Sequence, residues 1–254
     1  MLSDPLFWLV AVVAVTVVGI SKGGFAGLGV LGVPVLAVVV PSPVKAAAIL
    51  LPILVLQDWV SLLSYRRSVD RRVLLVPLAG ALAGTLAGYL LAATIQDGHV
   101  RLVVGVIALA FAANWWIGVV QKRAEGPKPG DGAGLFWGLV AGFTSFVSHA
   151  GGPPYQIYSL PQRLKPELLA GTTAWFFAIV NLMKVVPYFV LGQFSRENLT
   201  ISAALAPVAV VTTIFGVWLV RRADTTRFYR IIYALLVVVG LDLIWEGARS
   251  TFGL

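Results

Sequence analysis

An apolar run that begins at Leu6 breaks at Gly19-Ile20-Ser21-Lys22-Gly23-Gly24-Phe25-Ala26-Gly27-Leu28-Gly29 and resumes from Val30 through Val40. A lysine and five glycines stand where the flanking residues call for hydrocarbon. Glycine loosens a helix, and the backbone groups it releases need partners other than lipid. A charged side chain at membrane depth costs at least a few kcal/mol, so it faces a protein-lined or watery cavity. The stretch reads as the apex of a broken helix beside a substrate path.

The surrounding chain fits a polytopic membrane protein. Hydrophobic residues make up 59% of the 254 and charged residues 12%, against about 25% charged in soluble domains. Several runs reach the ~20 apolar residues that a bilayer crossing needs. The formal charge of +8 is concentrated in short loops, which the positive-inside rule explains without nucleic acid. With no cysteine, disulfides, thiolate metal sites and thiol catalysis are excluded together. No metal-ligand cluster, cofactor motif or nucleophile–base spacing stands out, so neither a cofactor nor an enzyme is expected. Gly27-x-Gly29-x-x-Gly32 fits the dinucleotide fingerprint only as a string, because it follows a helix-length apolar run and lacks the acidic residue about 20 positions on. Met1 to Ile20 lacks a basic start and a clear cleavage site, so it is expected to stay in the mature chain.

Ten segments follow: 6–20, 28–41, 44–63, 73–93, 100–120, 134–148, 152–164, 168–191, 199–220 and 229–247. Six are long enough to span. The pairs 6–20 with 28–41 and 134–148 with 152–164 run to about 13–15 residues each, which suits half-membrane or re-entrant helices, and each pair flanks a glycine-rich break. Sliding the chain by 123 positions aligns Gly19 with Gly142, Gly29 with Gly152, Pro43 with Pro166 and Ala47 with Ala170, without a gap. It also sets Ser21 against Thr144 and Asp58 against Asn181. We therefore expect an all-α fold of two inverted repeats, 1–120 and 134–254, joined by a polar linker 121–133, with broken or re-entrant helices meeting at the centre. Arginines and lysines crowd loops 64–72, 121–131 and 221–230. Placing those three in the cytoplasm puts both termini outside and reverses one half against the other.

The candidate site residues lie at the two breaks. Lys22, with Ser21, Gly23 and Gly24, reads as an anion-attracting apex assisted by glycine amides and helix N-termini, or as a lysine snorkelling to the headgroups. The second break supplies Thr144, Ser145, Ser148, His149, Gly151 and Gly152. His149 reads as an anion ligand, a proton relay or an interfacial histidine bonded to backbone. Within the spans, Gln57 and Asp58 on one side and Asn181 and Lys184 on the other are candidates for proton coupling or for lining the path. Asp58 reads as a proton carrier, a partner for Lys22 or a structural ion pair. Thr172, Thr173 and Trp175 also lie near the path, although threonine back-bonding accounts for the first two. Gly80-x-x-x-Gly84-x-x-x-Gly88 reads as a close helix-packing face.

These residues resemble a known family. Gly19-Ile20-Ser21-Lys22-Gly23-Gly24-Phe25-x-Gly27-x-Gly29, followed by Pro34 and Pro43-x-x-Ala46, is similar to the TauE/SafE sulfite exporters. Gly142-Phe143 with Ser148-His149-x-Gly151-Gly152-Pro153-Pro154 resembles the repeat of that motif. The resemblance covers nearly the whole chain. It implies a secondary transporter of the cell membrane that moves a small sulfur-containing anion, sulfite or an organosulfonate, commonly outward. Protons are the candidate coupling ion and the lipid bilayer is the partner. An anion channel, a carrier of a different small organic anion and a membrane-embedded enzyme using His149, Ser148 and Asp58 are the alternatives.

Overall fold

In a computed structural model the chain is described over residues 4–25, 28–40, 43–91, 97–120, 126–190 and 194–252. Among these, all regular structure is helical. The helices are α1 (Pro5–Lys22), α2 (Gly32–Ala37), α3 (Pro43–Tyr65), α4 (Arg71–Leu91), α5 (Asp97–Val120), α6 (Asp131–Ser148), α7 (Gly152–Ser159), α8 (Pro166–Val190), α9 (Arg196–Arg222) and α10 (Thr225–Phe252). A 3-10 turn, Leu28–Leu31, precedes α2, and another, Leu160–Gln162, follows α7. Among the described residues, seven helices are long and apolar enough to cross a membrane. Large apolar side chains such as Leu82, Leu86, Val106, Phe189 and Trp245 point outward, as a lipid-facing surface requires.

Helix α1 starts early because the Asp4 carboxylate caps the Leu6 amide at 2.9 Å and Pro5 sits where no amide proton is needed. It ends late because Lys22 suits the negative end of the helix dipole. At 18 residues it qualifies as a span, which corrects the half-membrane length expected of 6–20. Its return segment is shorter than expected, a four-residue 3-10 turn and the six-residue α2. Helix α6 begins at Asp131, inside the stretch read as linker, since an acidic residue favours a first turn. Linker residues 121–125 lie outside the described residues.

The second break is built differently from the first. His149 takes a left-handed conformation (φ 52°) and closes α6, while the Ala150 amide reaches back to the Thr144 carbonyl at 3.1 Å. Pro153 and Pro154 have no amide proton, so α6 cannot run on through them and α7 starts afresh. At the first break Gly24, at φ 133°, makes the turn that a side chain would resist.

Packing sets these breaks face to face. Helices α4 and α6 make the most extensive contact, followed by α5 with α10, then α1 with α9, α3 with α9 and α3 with α8. A Cβ on Gly138 or Gly142 would meet the carbonyls of Pro77 and Ala81, and one on Gly80 or Gly84 those of Leu135 and Leu139. The Gly80–Gly84–Gly88 face thus packs α4 on α6 backbone to backbone, with gaps only glycine fills. Gly23 meets Gly216 of α9 in the same way.

Helices α3 and α8 cross in opposite directions. The Thr172 hydroxyl, near the start of α8, accepts from the Asp70 amide just beyond the end of α3, at 2.9 Å. At the far end Tyr188 packs in the cluster that holds Phe7, Ala46 and Ile49, near the starts of α1 and α3. A second apolar cluster, around Phe25, Tyr65, Val220 and Phe228, lies at the end that carries the basic loops. The site sits between the two clusters.

Candidate functional site

The spacing of three residues in α3 decides the first half of the site. Asp58, Ser61 and Tyr65 recur at i, i+3 and i+7, so they share one face, and that face meets the end of α1. Lys22 donates to Asp58 Oδ1 at 2.5 Å. The Ser61 hydroxyl donates to the Lys22 carbonyl at 2.7 Å, and the Tyr65 hydroxyl to the Gly23 carbonyl at 2.6 Å. The last carbonyls of α1 have no helical partner, so these hydroxyls stand in for water.

Asn181, Lys184 and Tyr188 repeat the pattern on α8. Asn181 Nδ2 donates to Asp58 Oδ2 at 2.8 Å. Lys184 donates to the Ser145 carbonyl at 3.1 Å and to its hydroxyl at 3.0 Å. The Tyr188 hydroxyl and His149 Nε2 hydrogen-bond at 2.7 Å. Asp58 is 3% exposed, Asn181 3% and Lys184 1%, so these charges and dipoles rest on one another rather than on solvent.

A cavity enclosing about 740 Å³ of empty space, part of it open to the surroundings, lies between the two breaks. Its polar lining includes Ser21, Lys22, Ser145, His149, Asn181 and Lys184, and its apolar wall includes Val33, Leu50, Ala174 and Phe177. The Lys22 ammonium stands 5.7 Å from the centre of the Phe177 ring, a cation–π distance.

Several candidate residues take roles other than those expected of them. Among the described residues, the glycine amides of the first break at Gly23, Gly24 and Gly29 are already engaged. Gly23 donates to the Gly19 carbonyl, Gly24 to the Ser21 carbonyl and Gly29 to the Ser21 hydroxyl, at 2.8, 3.0 and 2.8 Å. They hold the turn, so they are not open anion donors in this structure. Gly23 lies off the cavity, whereas Gly24 lines it. The Thr144 hydroxyl bonds the Val140 and Ala150 carbonyls at 2.8 and 3.2 Å and stays off the cavity. Gln57 is fully buried away from it, its amide 3.4 Å from the Val15 carbonyl. Gly151 is packed against Ala141 and Ser145, while Gly152, the first residue of α7, does line the cavity. The Ser148 side chain lies outside the described residues. Thr172 back-bonds to the Leu168 carbonyl at 2.6 Å, but Thr173 faces the cavity.

Ser61, Tyr65, Phe177 and Tyr188 were not singled out from the sequence. For three of them the signal was present. The 123-residue offset that relates Asp58 to Asn181 also relates Ser61 to Lys184 (184 − 61 = 123) and Tyr65 to Tyr188 (188 − 65 = 123).

The family model for Sulfite exporter TauE/SafE matches residues 11–243. No curated protein and no solved structure matches the chain.

Proposed function

The chain belongs to the sulfite exporter TauE/SafE family, and from that premise we propose that it is a secondary transporter that exports a small sulfur oxyanion, sulfite or an organosulfonate, through the cavity between the two helix breaks. The supporting observation is the unequal pairing of the two lysines that line it. Lys22 is matched by the Asp58 carboxylate, whereas the direct partners of Lys184 are the neutral oxygens of Ser145. A buried amine with only neutral partners gains most from an arriving anion, which favours its charged form. A sulfonate group offers several acceptor oxygens, enough for Lys184, the Asn181 amide and the Ser21 and Ser145 hydroxyls together. Phe177, Ala174 and Val33 would take the carbon end of an organosulfonate.

In this reading Lys184 holds the cargo, while Lys22 and Asp58 exchange partners as it enters and leaves. Asp58 or His149 carries the coupling proton. With the basic loops in the cytoplasm, the inside-negative potential favours anion exit by ~2.3 kcal/mol per charge per 100 mV.

The test is thermal stabilisation of the detergent-purified protein by methanesulfonate, sulfoacetate, sulfite, thiosulfate, sulfate and acetate. A sulfur oxyanion should raise the Tm of the wild type and leave that of Lys184→Met unchanged. A carboxylate that stabilises as well as any sulfur anion would overturn the cargo assignment, and full stabilisation of Lys184→Met would overturn the site.

A further inference from the structure

We propose that Tyr65 and Tyr188 are a matched pair of gate latches, one for each side of the transport cavity. The proposal rests on the transporter reading and adds the parts that move. Each tyrosine lies one helical turn beyond the residue that grips a helix break, and both grips are made in this structure. On α3, Ser61 holds the Lys22 carbonyl and Tyr65 the next one, that of Gly23. On α8, Lys184 holds the Ser145 carbonyl and Tyr188 meets His149.

The correspondence extends to single atoms. Donor positions 61 and 184 are 123 apart, and so are acceptor positions 22 and 145, where in each case the acceptor is the backbone carbonyl. The tyrosines keep the same offset and the same residue type. Because α3 and α8 run in opposite directions, one repeated device is delivered to two opposite ends. Tyr65 is followed at once by Arg66 and Arg67 of a basic loop, and its apolar neighbours are Phe25, Val220 and Phe228. Arg221 braces it from outside, donating to the Ser64 carbonyl at 2.7 Å and lying 6.0 Å from the Tyr65 ring. Tyr188 sits at the other end, against Phe7, Ala46 and Ile49.

The chemistry suits a latch. A phenol hydroxyl bonds the break directionally and leaves its ring in the apolar seal, so release strands no charge. The partners differ, a backbone carbonyl at Gly23 and an imidazole at His149. Alternating access then amounts to releasing one tyrosine while the other holds.

The absence of cysteine makes the test direct. Ala174→Cys and Val33→Cys, on two walls of the cavity, report access to a membrane-impermeant thiol reagent in vesicles of each sidedness. Tyr65→Phe should raise the labelling rate from one membrane face, and Tyr188→Phe from the opposite face. Each increase should be roughly three- to tenfold, the shift expected for loss of one neutral hydrogen bond. Increases from the same face, or no change at either reporter in variants that purify as folded protein, would overturn the latches. Anion-induced stabilisation of the same preparations separates the two ideas. If it persists while labelling is unchanged, the latches fail and the transporter reading stands. Side-specific labelling without any anion response leaves the latches standing and removes the cargo.

Discussion

Asp58 and Asn181, 123 positions apart in the chain, hydrogen-bond side chain to side chain at 2.8 Å where α3 and α8 cross. A residue and its counterpart in the expected repeat touch only if they lie beside the axis that would relate the two halves. The other oxygen of Asp58 holds Lys22. One carboxylate therefore ties together α1, α3 and α8, and the cavity opens beside that knot.

Removing the buried carboxylate leaves the half-buried Lys22 without a counter-charge. Breaking one partner of a buried pair costs about 3–5 kcal/mol, so Asp58→Asn should lower the Tm markedly. The Lys22→Met/Asp58→Asn double variant should be more stable than Asp58→Asn alone. A double-mutant cycle on Tm checks this, and additive losses would mean that the two groups do not act as a pair.

The two grips on the helix breaks should differ in what they cost. Ser61→Ala leaves the Lys22 carbonyl without its side-chain donor, a loss of about 1 kcal/mol. Its anion response should survive, because Ser61 does not line the cavity. Lys184→Ala strips both the Ser145 carbonyl and its hydroxyl and should abolish the anion response outright. Tm with and without anion separates the two.

Glycine positions give an internal control for packing. A Cβ on Gly142 would come 2.2 Å from the Ala81 carbonyl oxygen, whereas one on Gly118 meets nothing within 4 Å. Gly142→Ala should destabilise by about 1–3 kcal/mol through overpacking. Gly118→Ala, on a helix, should be neutral or gain up to about 1 kcal/mol. Comparing the two unfolding midpoints tests whether α4 and α6 pack as closely as described.

Filling the cavity should block it without unfolding the chain. Ala174→Phe places a ring among Lys22, Phe177 and Lys184, which all line the same space. The anion-dependent rise in Tm should vanish, while the protein without anion loses only the cost of overpacking, about 1–3 kcal/mol. A full anion response in this variant would place the cargo elsewhere.

The sequence by itself determined what depends on local chemistry. Apolar runs of spanning length, the glycine breaks, the prolines at 153 and 154 and the Gly80–Gly84–Gly88 face are all properties of a few neighbouring residues, read through helix periodicity and the cost of polar groups in lipid. The 123-residue offset was also visible, and it pointed to Asp58 and Asn181 before their contact was known. Tertiary structure decided how the polar groups pair. In low dielectric each donor must find an acceptor, and which one it finds depends on how the helices cross. That is why the glycine amides, expected to face an anion, turn back on their own chain. It is also why, of the readings open for Asp58, pairing with Lys22 is the one made, which leaves Lys184 with only neutral partners. Helix length followed the same division, because Asp4 and Lys22 extend α1 through its ends, whereas the position of its last turn against Ser61 and Tyr65 comes only from packing.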